Sequence, residues 1–250
     1  MSDIEIFVLN ILPWLFLLLV VLILIQTFYY PYKRRNEILQ MVKDRSFEYD
    51  KEGNSLSNYI GNVTTFVVKR NFFDLVFKGF EKETSCIVAL ASTGLNLFNR
   101  GHSKKAKNIF AISFEGKKLF FFDYYFTVGS GKHSTRYSHT VALLKTNSFL
   151  PDFYMRPENF FDSVAAIIGF DDIDISGFEN FSKIYYLKGK NPDSVISFFT
   201  PERIMIFEQS PGYYVEAANN FLIIYSKSII PVKKDYIDKI VNIFKGLKVE

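Results

Sequence analysis

The hydrophobic positions of this chain fall into one unbroken run followed by many short ones. From Ile6 to Tyr32 there is no Asp, Glu, Lys, Arg or His, and the middle of the run is almost pure Leu, Val and Ile. A helix of about 20 apolar residues crosses a hydrocarbon core, so the run predicts a transmembrane helix over 6–32. Its flanks differ from those of a cleavable signal peptide. Asp3 and Glu5 stand where basic residues belong, and the exit through Gln26, Thr27, Phe28, Tyr29 and Tyr30 is bulky. A buried core helix is the competing reading, and apolar residues on every face argue against it. Pro13 is expected in the first turns, where proline loses no hydrogen bond. Trp14 at one end and Tyr29, Tyr30 and Tyr32 at the other suit the two membrane interfaces.

Beyond the span the pattern becomes mixed. Asn36 to Phe47 sets Ile38, Leu39, Met41 and Val42 among charges and predicts a short juxtamembrane helix. Residues 48–61 turn polar and rich in Gly, Asn and Ser, as a linker does. NVTTFVVK (62–69) and SCIVAL (85–90) read as strands by β-branched content, and FFDLVF (72–77) suits strand or helix. The clearest pattern covers 107–146, where KNIFAISF, KLFFFDYYFTV and TRYSHTVALLK are separated by glycine turns at 115–117 and 129–132. That predicts a three-stranded antiparallel meander, with Leu119–Phe126 apolar on both faces and therefore central.

The rest alternates. A helix is expected after Leu150-Pro151-Asp152, over about 158–168, with Pro157 near its start and Gly169 at its end. KIYYLKG (183–189) predicts a strand. Asn191-Pro192 and Thr200-Pro201-Glu202 each pair a capping residue with a first-turn proline and open helices to Phe199 and Gln209. Pro211-Gly212 turns the chain into a second hairpin across Asn219-Asn220. A final helix over 232–247 places Tyr236, Ile237, Ile240, Val241, Phe244 and Leu247 on one stripe. The fold class is α+β: an N-terminal transmembrane helix, then one domain of antiparallel sheet (three-stranded meander plus a second hairpin) packed with helices.

Charge sets the expected orientation. No basic residue precedes the span, and Lys33, Arg34 and Arg35 follow it directly. The positive-inside rule then puts residues 1–5 outside the cell and residues 33–250 in the cytoplasm, as a single-pass protein of the inner membrane. All 30 Lys and Arg, and all but Asp3 and Glu5 of the 26 acids, lie beyond the span, which leaves that part at +6. Its basic residues are scattered among acids, unlike the clustered footprint of a nucleic-acid binder. A lipid bilayer and an unidentified protein are the expected partners. Cys86 is the single cysteine, which excludes an intrachain disulfide; its apolar neighbours suggest a buried thiol.

Candidate chemistry is sparse, and no cofactor is implied. VGSGKHST (128–135) resembles the end of a phosphate-cradling loop, but Phe126 replaces its first glycine and His133 its Ser or Thr, and a hairpin turn accounts for the glycines. Asp172, Asp174, Ser176 and Gly177 open like a calcium loop. The closing Glu is absent, because Lys183 stands in its place, so a solvated acidic turn is the plainer reading. His133 and His139 would share a side of a regular strand, with no Cys or third His near enough for zinc. Asp123, inside an aromatic strand, needs a partner; Lys117, Lys132 or Arg136 could supply it. Asp123, His133, Arg136 and His139 therefore form the candidate polar cluster, and no motif assigns a catalytic residue.

Several short motifs recur in order: Phe98-x-Arg100-Gly101, Lys107-Asn108, Phe122-Asp123-Tyr124, Gly129-Ser130-Gly131-Lys132, Leu150-Pro151-Asp152-Phe153, Arg156-Pro157-Glu158, Asp172-Ile173-Asp174 and Phe199-Thr200-Pro201-Glu202. As a set, over about residues 95–247, they resemble a family of uncharacterised single-pass bacterial membrane proteins with one α+β domain. The resemblance implies membrane attachment and fold, and no activity. The resulting expectation is a membrane-tethered cytoplasmic domain, 62–250 behind a 33–61 juxtamembrane helix and linker. It would act without catalysis as a module for protein or membrane-surface interaction. The alternative is a ligand-binding protein or hydrolase with a pocket between the 107–146 meander and the 158–168 helix.

Overall fold

A run of apolar residues without a polar face can satisfy its backbone internally as a helix, and the chain begins that way. In the computed structural model, which describes residues 3–61, 81–158, 172–231 and 233–249, α1 (Asp3–Leu24), a π-helical turn (Ile25–Tyr29) and α2 (Tyr30–Asp44) follow without interruption. Leu12, Trp14, Phe16 and Tyr32 are among the exposed large side chains, with Trp14 71% exposed. By length and composition this helix suffices to cross a membrane, which suggests membrane anchoring. Two expectations change here. Pro13 lies well inside α1, where it removes an interior hydrogen bond. The juxtamembrane helix is no separate element: with Pro31 in its first turn, α2 continues from the span to Asp44.

Residues up to Ser46 form one unit and Phe47–Glu250 a second. The second is built on β1 (Glu48–Asp50), α3 (Asn54–Ile60), α4 (Glu81–Ser92), α5 (Asn96–Asn99), β2 (His102–Phe114), β3 (Lys117–Val128), β4 (Thr135–Lys145) and β5 (Phe153–Pro157). It continues through α6 (Glu179–Ile184), β6 (Tyr185–Gly189), α7 (Pro192–Phe198), α8 (Pro201–Gln209), β7 (Tyr214–Ala218), β8 (Phe221–Tyr225) and α9 (Lys234–Leu247). The strands make one eight-stranded sheet in the order β1-β2-β3-β4-β8-β7-β5-β6, and every paired neighbour is antiparallel. The meander and second hairpin of the sequence reading are thus parts of a larger sheet, joined where β4 pairs with β8.

The meander itself forms as expected. Glu115 and Gly116 both take positive φ, 48° and 77°, the two-residue turn whose twist matches a hairpin. Strand β3 is buried on both faces. On the front, Phe120, Phe122, Tyr124 and Phe126 pack with Leu56, Ile60, Leu90 and Phe98. On the back, Phe121 meets Tyr236 of α9 at 6.3 Å between ring centroids, and Phe114 of β2 meets Phe244 at 6.2 Å. Helix α9 buries Tyr236, Ile237, Ile240, Phe244 and Leu247 as expected, with Ile243 added and Val241 only half-buried. Helices α6, α7 and α8 cover the back of β5 and β6: Phe153 touches the rings of Phe198 and Phe199 at 5.2 and 5.1 Å, and Phe199 in turn touches Phe181 and Phe207.

Three local readings are corrected. The 48–61 linker contains β1, paired to β2, and α3, whose first turn is capped by Asp50: its carboxylate accepts from the amides of Asn54 and Leu56 at 3.0 and 2.9 Å. SCIVAL belongs to α4; the buried Cys86, Ala89 and Leu90 recur at helical spacing, which outweighs the β-branched content. Residues Phe153–Pro157 form β5, between β7 and β6. Pro157 is the last residue of that strand, beyond Met155, where the pairing with β7 stops. The expected segments at 62–69 and 72–77 lie outside the described residues, as does nearly all of the 158–168 helix.

Candidate functional site

Strands β5, β6 and β7 lie side by side, and their front-face residues alternate with residues packed behind them. Register sets Tyr154 between Lys188 and Glu216. A shallow cleft of about 110 Å³ opens at this corner, lined by Asn96, Asp152, Tyr154, Lys188, Lys190 and Ala218 among others. Asp152 is fixed there: its carboxylate accepts from the Lys190 ammonium at 2.9 Å and from the Asn219 amide at 3.4 Å. Asn219, at the positive-φ position of the β7–β8 turn (55°), donates its side-chain amide to the Thr93 carbonyl at 3.0 Å. That bond ties the end of α4 to the hairpin. The Lys188 amine lies 5.1 Å from the Tyr186 ring centroid, and the Arg156 guanidinium lies 4.3 Å from the same ring, distances suited to cation–π attraction.

Beside Tyr154 of the cleft lies Glu216, the most buried carboxyl group among the described residues, with 0% exposed surface. It accepts from the Leu97 amide at 3.0 Å and the Tyr225 hydroxyl at 2.7 Å. Arg100, whose guanidinium lies 5.3 Å from the centroid of the Tyr154 ring, supplies the opposing charge. Burial raises the Glu216 carboxyl above its ordinary value, and the nearby Arg100, the Tyr225 hydroxyl and the Leu97 amide oppose that rise. Tyr225 is pushed well up, by burial first and by the Glu216 charge second. The Leu97 bond to Glu216 and the Arg100 contact with Tyr154 hold the 96–100 segment to β7 and β5, while the Tyr225 bond to Glu216 joins β8 to β7. Sequence reasoning did not single out Glu216 or Tyr225. The available signal was the lone acid in YYVEA, of the same kind that drew attention to Asp123.

The structure does not gather Asp123, His133, Arg136 and His139. In register, Asp123 faces Thr140 and Tyr124 faces His139, so Asp123 points behind the sheet and His139 in front of it. Asp123 accepts from the Asn108 side chain at 2.8 Å and the Thr140 hydroxyl at 3.3 Å, and in register it lies opposite Lys107 of β2. His139 is buried, with Nδ1 2.8 Å from the Ser226 carbonyl and its ring stacked on Phe126 at 5.7 Å. His133 lies exposed in the β3–β4 turn, a 3-10 turn at Gly131–His133. The glycines of VGSGKHST serve this turn.

Asp172, Asp174 and Ser176 are exposed and alternate with buried Ile173 and Ile175. Alternation of an extended segment thus accounts for their spacing. Asp172 accepts from the Leu187 amide at 3.0 Å beside the edge of β6, and burial raises its carboxyl above the ordinary value. The Cys86 thiol is pushed up to about 12 by burial. The pocket expected between the 107–146 meander and the 158–168 helix falls largely on residues outside those described.

Fold and site together define an α+β domain with one broad antiparallel sheet, preceded by an apolar N-terminal helix. No family model matches the chain, and no curated protein does. Among solved structures it is similar to a protein described as the mycobacterial trehalose monomycolate transport factor A, TtfA. The TM-score is 0.49 and the identity 11%, over 86% of this chain and 93% of that one.

Proposed function

We propose that this chain is a single-pass membrane protein whose N-terminus lies outside the inner membrane. The part after the anchor lies in the cytoplasm and serves, without catalysis, as an interaction module for a protein partner or the membrane surface. The supporting observation is the uninterrupted helix from Asp3 to Asp44. It exposes large apolar side chains through Tyr32 and then meets Lys33, Arg34 and Arg35, whose position favours the cytoplasmic side. The family resemblance at 95–247 belongs to this reading as well.

The test uses the full chain with a C-terminal reporter, in a bacterial host. Alkaline carbonate should leave the protein in the membrane fraction. A green fluorescent protein fusion should fluoresce, while an alkaline phosphatase fusion should stay inactive. Release by carbonate would refute anchoring, and an active phosphatase would reverse the orientation.

A further inference from the structure

The end of the meander where β2 begins, β3 ends and β4 begins carries an unusual charge distribution. From Leu97 to Phe114, and again from Tyr124 to Pro151, the sequence has no Asp or Glu. Register brings these stretches side by side, with Lys105 opposite Tyr125, Tyr125 opposite Ser138 and Thr127 opposite Arg136. Alternate strand residues share a face, so Lys105, Lys107 and Arg136 emerge on the face of Tyr125, where the acid opposite Lys107, Asp123, is buried. The Arg136 guanidinium lies 5.3 Å from the centroid of that ring. Lys132 and His133 extend the surface into the turn, and Lys105, Lys107, Lys132, His133 and Arg136 are all exposed.

Two features hold these segments in place. The His102 Nε2 lies 2.9 Å from the Gly129 carbonyl, which joins the start of β2 to the β3–β4 turn. Gly101, at φ 59°, passes so close to β3 that a Cβ would lie 2.2 Å from the Thr127 carbonyl oxygen; only glycine fits. The cations are therefore displayed on a built surface.

We infer that this end of the meander is a docking surface for an anionic lipid bilayer. The inference rests on the anchored-domain reading: a domain tethered to a bilayer meets that surface at high effective concentration, so individually weak attractions suffice. Each Lys or Arg near an anionic leaflet strengthens association about fivefold, and Tyr125 among the cations has the amphipathic ring favoured at the interface.

The test places the full chain in nanodiscs of phosphatidylcholine alone and of phosphatidylcholine with phosphatidylglycerol, and reads lysine acylation by mass spectrometry. Lys105, Lys107 and Lys132 should acylate several-fold more slowly in the anionic discs, while Lys190 is unchanged. The protection should vanish in 1 M salt, where the screening length is about 3 Å. The exposed-site variant K105Q/K107Q/R136Q should lose it at Lys132. Equal rates in the two discs would overturn the inference. Protection in native membranes without any in anionic discs would also overturn it, in favour of a protein partner. A chain that enters neither disc refutes the anchor. Flotation with phosphatidylglycerol against phosphatidylcholine vesicles then reads the surface directly, and no preference there overturns it too.

Discussion

Glu216 and Asp123 are both acids in otherwise apolar strands, and each is hydrogen-bonded where it lies. Asp123 accepts from the Asn108 side chain and the Thr140 hydroxyl, and Glu216 accepts from the Leu97 amide and the Tyr225 hydroxyl with Arg100 close by. A carboxyl raised above its ordinary 4.5 by burial binds its proton more tightly in the folded state than in the unfolded one. Its contribution to stability is complete below about pH 4.5 and is lost as the pH rises through the folded-state value. Glu216→Gln removes that dependence. Melting temperatures of the variant, taken relative to the native chain, should therefore rise between pH 4 and neutrality; a flat or falling difference would show that Arg100 outweighs burial. Removing the carbonyl as well, with Glu216→Ala, leaves the Leu97 amide and the Tyr225 hydroxyl without their acceptor and Arg100 without its opposing charge, and should cost about 3–5 kcal/mol in denaturant unfolding.

The helix starts show which signals act locally. Asn191 accepts from the Ser194 amide at 3.2 Å with Pro192 in the first turn, as the dipeptide predicted. Asn191→Ala should cost about 1 kcal/mol in chemical denaturation, while substitution of exposed Ser194 by Ala should leave stability nearly unchanged. Thr200 stands at the corresponding position of α8 without a side-chain cap to the helix amides. There its hydroxyl and a backbone amide hold the exposed Glu202 carboxyl below its ordinary value. Strand and helix identity elsewhere depended on context. SCIVAL has strand-like composition, and only its packing through Cys86, Ala89 and Leu90 makes it a helix. Phe153–Pro157 carries a helix-start proline, yet finds strand partners on both sides.

Across the second unit, one sheet organises everything else. Strand β3 pairs with β2 and β4 over nearly its whole length and is covered on both faces, whereas β1 is a three-residue edge strand held to β2. Amide hydrogen exchange on the full chain in detergent should follow that arrangement. The amides of Phe120–Phe122 should be among the slowest, opening only with global unfolding, and those of Glu48–Asp50 should exchange far sooner. Equal protection at β1 and β3 would mean that the edge unfolds only with the whole sheet.

By itself the sequence determined the apolar N-terminal helix, the meander, the Asn219-Asn220 hairpin and the helices at Pro192, Pro201 and Lys234. Each of these is specified by short-range physics: unbroken apolarity, glycine turns at fixed offsets, capping residues before prolines and an apolar stripe of helical period. Only the tertiary structure decided that the two strand groups form one sheet, that 48–61 adds an edge strand and a helix, and that Asp123 and His139 face opposite sides. It alone brought Glu216 to Arg100 and Tyr225, and the start of β2, the end of β3 and the start of β4 to one end of the meander. Those outcomes depend on strand register and on partners far apart in the chain, which a local pattern does not encode.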